Sequence, residues 1–252
     1  MRLLAFICSL MLSQGPVIPL GSIGITTAGA TLFNVVERQT ITSTTNCATG
    51  LTITLGTPTA APGGVKELIA TTYAFANPSG AISITDSGSQ VYTSAYQLTN
   101  VASHDTTGVY YFLGSAAGIT SVTIKAATSA TSCQLIVEHV TRTSGSWALD
   151  QSGNASSTGV STPWSSPAVT TLASHEFLIG AALAYHSGGG NCVMAATGLW
   201  TGTGFNGTLA TDLMLLDQPV SSIQTNIQAT GTTSTCTTFG GAGNYPGIRT
   251  FQ

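Results

Sequence analysis

Short runs of β-branched and aromatic residues recur along the 252-residue chain, and each is cut off by Gly, Ser, Asn or Pro before a long helix could form. Branched and aromatic side chains fit a pleated surface, while the punctuating residues make tight turns. No long stretch repeats its apolar residues at the helical period. The chain is thereby confined to an all-β fold. Strands are predicted over 51–55, 67–75, 81–85, 91–98, 109–113, 121–126, 134–141, 176–184, 212–217, 222–229 and 247–251. This many short strands fits two packed antiparallel sheets, a β-sandwich. Alternation marks strands with one wet face: Val122, Ile124 and Ala126 oppose Thr123 and Lys125, and Ile223, Thr225 and Ile227 oppose Gln224, Asn226 and Gln228. Residues 177–184 (FLIGAALA) are apolar on both faces and belong at the centre.

What coats the wet faces is unusual. Only 6% of residues are charged, against roughly 25% in an average globular protein. Thr, Ser, Asn and Gln take the place of Lys and Glu, and threonine suits this because its branched Cβ favours extended backbone while its hydroxyl stays hydrated. With 42% hydrophobic residues and a net charge of -3, the chain is not of the disordered kind. Six Lys and Arg cannot build the basic stripe that neutralises phosphates, which argues against nucleic acid and anionic membranes as partners. Sheet edges also lack the lysines that discourage strand addition.

At the N-terminus Met1-Arg2 precedes an apolar run, LLAFICSLML, and then small residues. Residues 1–22 read as a secretory signal peptide, a buried N-terminal element being the alternative. Cys8 lacks a lipobox before it. Residues 23–50 are predicted as an extension or edge strand, and 51–252 as a single sandwich domain. No later segment has the 18 consecutive apolar residues of a transmembrane helix. The expected location is therefore secreted, extracellular or at the cell surface. Cys47, Cys133, Cys192 and Cys236 would remain as disulfide candidates. Cys47 with Cys133 and Cys192 with Cys236 is the favoured of three pairings. No CxxC spacing points to zinc or redox chemistry.

Catalytic chemistry leaves few traces. A sandwich glycoside hydrolase needs two carboxylates flanking the scissile bond. Glu138 and Glu176 are the best candidates, because apolar strands surround both and burial would suit a general acid. The competing reading puts each on a wet face or at a strand end. Asp212 and Asp217 fall on opposite faces of one strand. No nucleophile elbow, P-loop or HExxH pattern occurs, and His104, His139, His175 and His186 have no ligand spacing among them. No catalytic residue and no cofactor are assigned. Calcium is the least implausible metal, with Asp86 and Asp105 as its candidate ligands, although turn chemistry accounts for Asp86-Ser87-Gly88 equally well. Trp147, Trp164 and Trp200, set among short polar residues, are candidates for stacking on glycans, or else plugs for the ends of the sandwich.

The order of motifs carries a resemblance. ISITDSGSQVYTSA (82–95), GVYYFLGSAAGITSVTIKA (108–126), CQLIVEHV (133–140), WALDQSGNASSTG (147–159) and SSPAVTTLASHEFLIGAAL (165–183) succeed one another over about half of the chain. In combination they resemble a group of uncharacterised secreted bacterial proteins with a jelly-roll β-sandwich, related in shape to concanavalin A and laminin-G folds. Asp86-Ser87-Gly88 resembles that group's inter-strand turn and Leu149-Asp150 its crossing between sheets. His139 stands where the group tends to have an aromatic residue. The resemblance implies a jelly-roll-like sandwich and no activity.

The expected function is that of a secreted, non-enzymatic structural or adhesive subunit of a filament or sheath, acting by self-association or contact with surface glycans. A carbohydrate-binding module and a sandwich hydrolase are the alternatives.

Overall fold

Most strands form on the branched and aromatic runs, and pairing between distant runs then sets the layers. The computed structural model describes residues 32–43, 47–60, 67–76, 82–99, 106–127, 132–154, 163–185, 193–204, 211–234 and 247–252. The first eight strands are β1 (Phe33–Ser43), β2 (Leu51–Thr54), β3 (Glu67–Ala76), β4 (Ile82–Asp86), β5 (Thr93–Thr99), β6 (Thr106–Leu113), β7 (Ser121–Ala126) and β8 (Ser132–Arg142). The next eight are β9 (Leu149–Asn154), β10 (Trp164–Ser165), β11 (Glu176–Tyr185), β12 (Val193–Ala196), β13 (Thr201–Gly204), β14 (Thr211–Val220), β15 (Thr230–Ser234) and β16 (Gly247–Phe251). The only helical element among the described residues is the 3-10 turn Cys47–Thr49.

These strands make four antiparallel sheets where two are expected: β2-β7-β4, β1-β8-β3-β6-β5, β13-β14-β11-β16-β9 and β10-β15-β12. The first two sheets use only residues before 143 and the last two only residues after 148. Numbered from one to eight within its own half, each unit has the same order. Its larger sheet runs first, eighth, third, sixth, fifth, and its smaller sheet runs second, seventh, fourth. Even an irregularity repeats, because the first strand of each unit slips register against the eighth at the same point, between Val35 and Glu37 and opposite Arg249 and Phe251.

Three apolar layers separate the four sheets. Ile53, Ile84, Val122 and Ile124 pack against Leu135 and Val137 of β8. Ile136 and Val140, from the other face of β8, meet Phe177, Ile179, Leu215 and Phe251. Leu178, Ala182, Leu216 and Ile248 then pack on Trp164 and Met194. Strands β8 and β11 are thus buried on both faces, and for β11 that is the consequence of the apolar run at 177–184. The outer faces are wet and hydroxyl-rich, with Thr52 and Thr123 bonded Oγ1 to Oγ1 at 2.8 Å.

Of the expected strands, 222–229 is corrected. Its alternation is real, yet Ile223 is 56% exposed and the segment forms no strand of a sheet, meeting residues 166–171 through an isolated bridge between Ile227 and Val169 and through hydrogen bonds such as Ser166 N to Ala229 O at 2.8 Å. The strand proper is β15, a few residues later. The expected loops at 152–167 and 187–207 contain β10, β12 and β13, which pack through Trp164, Met194 and Trp200. Residues 1–22 lie outside the described residues. No helix among the described residues is long and apolar enough to cross a membrane.

Candidate functional site

A strand with two buried faces must direct each of its polar residues into one apolar layer or another. On β8 the alternation sends Glu138 toward the second unit and His139 the opposite way. Neither has any exposure to solvent. Arg38 of β1 lies directly opposite Glu138 in register, and its Nε stands 3.5 Å from Glu138 Oε1. From the facing sheet, β14 turns Asp217 into the same layer, where its Oδ1 accepts a hydrogen bond from Arg38 Nη2. One cation therefore bridges two buried carboxylates, one from each unit. Arg38 itself keeps 22% side-chain exposure at the margin of the layer.

Neither oxygen of Glu138 has a hydrogen-bond partner among the described residues. Burial, reinforced by the Asp217 charge and opposed by Arg38, pushes the Glu138 carboxyl up to about 8. Burial likewise raises Asp217 to about 6 against the pull of Arg38. A carboxylic acid held neutral between two sheets can donate a proton locally. Here, however, the layer is filled by Ile136, Val140, Ile179 and Leu215, and the carboxyl itself has no exposure to solvent.

Arg249 of β16 holds the position in the second unit that Glu138 holds in the first, since both pair with the fourth residue of their third strand, Ile179 and Ala70. It crosses the same layer in the other direction. Its Nε and Nη2 donate to Ala95 O at 3.2 and 2.6 Å, its Nη1 donates to Ile248 O at 2.7 Å, and its guanidinium lies 4.6 Å from the Tyr96 ring centre. The two units are thus tied by Arg38 with Asp217 at one side and by Arg249 with Ala95 and Tyr96 at the other.

Two further acids, Glu37 and Glu176, are held by hydrogen bonds within the fold. Glu37 accepts hydrogen bonds from Gln39 Nε2 at 2.7 Å, Gly56 N at 2.8 Å and Thr57 N at 3.0 Å, and lies 3.8 Å from His139 Nδ1. Burial alone would raise its carboxyl, but these donors outweigh it and hold the group below its ordinary value. Glu176 Oε1 accepts from Ala173 N at 2.8 Å. Burial, with the Asp150 carboxylate adding to it, pushes Glu176 upward against that hydrogen bond. Glu138 and Glu176 are both fully buried, so neither lies on a wet face, while Glu176, as the first residue of β11, does stand at a strand end.

The other sequence candidates fall as follows. Trp147 is 6% exposed and packs on Phe33 and Phe177, Trp164 is 2% exposed, and Trp200 is 8% exposed and donates from Nε1 to Gln228 O at 2.8 Å. None offers a ring face to a sugar, because each fills an apolar layer or its end, which corrects the stacking expectation. The Asp86 carboxylate is occupied by Gly88 N, Gln90 N and Gln90 Nε2 at 2.9, 3.0 and 2.6 Å, an internal turn in place of a cation shell. Asp105 lies outside the described residues. No group of three or more His, Cys, Asp or Glu suited to a metal occurs among the described residues. Cys133 is buried, while Cys192 and Cys236, and the side chain of Cys47, lie outside the described residues. Arg38 escaped the sequence reading altogether, since its partners at 138 and 217 are remote in the chain.

Comparison with known proteins finds no matching family model, no matching curated protein and no matching solved structure. The resemblance to secreted jelly-roll proteins rests on the sequence motifs alone.

Proposed function

We propose that this chain is a secreted, non-catalytic building block that associates with copies of itself through its sheet edges, as the subunit of a filament or sheath, and that each eight-strand unit is a jelly roll. The observation that carries the reading is the chemistry of the edges. Of the eight strands that end a sheet, only β1 contains a Lys or Arg, and that residue, Arg38, turns inward to Asp217. Strand edges present unpaired backbone donors and acceptors, and lysines normally keep another chain from pairing with them. The first-eighth-third-sixth and second-seventh-fourth order supports the jelly-roll reading. Secretion is supported by residues 1–22, and two units stacked through their larger sheets give one particle with edges on several sides. The buried state of Glu138 speaks against the hydrolase alternative.

Charging two exposed edge positions tests this. Thr54→Lys on β2 with Ser94→Lys on β5 should lower the assembled fraction at least tenfold by light scattering, with the melting temperature held within a few degrees. Equal scattering from wild type and variant would reject edge pairing through these strands.

A further inference from the structure

Because the two units share one topology, their ends can be compared position by position, and the comparison exposes a difference. Registers place Phe112 and Gln218 at equivalent points, opposite the third residues of β3 and β11, Ile69 and Leu178. Tyr92 and Trp200 likewise stand just before the equivalent strands β5 and β13. In the first unit this end is shut. Phe112 and Tyr92 pack with ring centres 5.7 Å apart, and Gln90, held by Asp86, accepts a hydrogen bond from Ala116 N at 3.1 Å across the gap.

In the second unit the turn from Ala196 to Trp200 runs only through Thr197, Gly198 and Leu199, with no counterpart of Gln90, and Ala196 stands in place of Asp86. Gln218 replaces the aromatic plug. What remains is a cleft of about 460 Å³ lined by Leu199, Thr201, Gln218, Ser221, Ser222 and Gln224 among others. Gln218 is more than nine-tenths buried and lines this cleft. At the rim Leu199 is 83% exposed, with Ile223 beside the lining at 56%.

We propose that this cleft binds a neutral oligosaccharide. No lining residue carries a charge, so an ionic ligand would lose its water without gaining a counter-ion. A hydrocarbon would leave the Gln218 amide unpaired in a drier site. A sugar ring satisfies both halves of the lining, since its hydroxyls meet the amide and the Ser and Thr hydroxyls while its C–H faces meet Leu199 and Val220. Of the lining only Thr201 belongs to a sheet-ending strand, β13, and the edge positions Thr54 and Ser94 lie in the other unit, so sugar binding is read separately from self-association. It also needs none of the three tryptophans as a stacking face.

Calorimetric titration of the full chain with maltotriose, cellotriose, mannotriose, chitotriose and sialyllactose tests it, beside a set of neutral eight-residue peptides. At least one neutral trisaccharide should bind, and Gln218→Leu should weaken that binding tenfold or more. Ser222→Trp, at an exposed loop position that fills the cleft without entering the core, should abolish it. Binding of no neutral trisaccharide, binding that survives both variants, or occupation by peptide or by the anionic sugar alone would each overturn the proposal.

Discussion

The melting temperature should fall as pH rises from 5 to 9, and Glu138→Gln should remove most of that fall. Glu138 is held protonated up to about pH 8 in the folded chain, whereas an unfolded glutamate ionises near 4.5. The folded state therefore binds the extra proton, and a group whose folded value is raised stabilises the fold below its unfolded value and loses that effect as pH climbs through the folded one. Asp217, raised to about 6, acts in the same direction over the lower half of the window. The charged neighbours in this layer are Arg38 at the cluster itself, Arg249 on β16 and Arg142, which stacks on Phe33 and Trp147 at the end of β8, while Glu37 and His139 lie on the opposite face of the sheet. Arg38 alone cannot keep both carboxylates ionised at no cost. A loss on the order of 2–4 kcal/mol is expected, or roughly 5–10 °C for a chain of this size. Calorimetric scans at pH 5, 7 and 9 read it directly. A flat profile in wild type, or an equal slope in Glu138→Gln, would show that this carboxyl does not link the units through its proton.

Gly231→Val should be the most destabilising single change in the second unit. Gly231 of β15 sits between Trp164 of β10 and Ala196 of β12 in register, and a Cβ added there would run into Trp164 Cζ2 and lie 2.6 Å from Ala195 O. The indole is almost wholly buried and the carbonyl belongs to a ladder, so neither can withdraw. Overpacking of this kind costs about 3 kcal/mol or more. A fall in melting temperature of roughly 6 °C or more is expected. Trp164→Leu should recover part of the loss in Gly231→Ala, since removing the indole vacates the space the methyl needs. A shift within 1 °C for Gly231→Val would mean that Trp164 does not occupy the gap left by the missing side chain.

Strand existence was legible wherever local pattern and tertiary environment agree. β7 and β16 run over the expected residues, and β11 is the central strand its two-sided apolar run implies. The duplication was not legible, because equivalent strands share their place and little of their chemistry. The second strand is LTIT in one unit and the pair Trp164-Ser165 in the other, although β3 and β11 each open with a glutamate. Short strands such as β12 and β13 hold their conformation by pairing and by packing on Met194 and Trp200, not by propensity. Tryptophans among Ser and Thr look exposed in one dimension, yet the small neighbours are what let the indoles sink. The charged cluster and the cleft are both products of remote pairing. Arg38 meets a carboxylate 179 residues away, and Gln218 becomes conspicuous only beside Phe112.

Sedimentation velocity of the full chain across a hundredfold range of concentration tests edge-mediated association most directly. The expected result is a distribution that shifts to larger species with concentration in wild type and stays at one small species in the variant carrying Thr54→Lys and Ser94→Lys. A single monomeric species at every concentration in wild type would contradict the building-block reading.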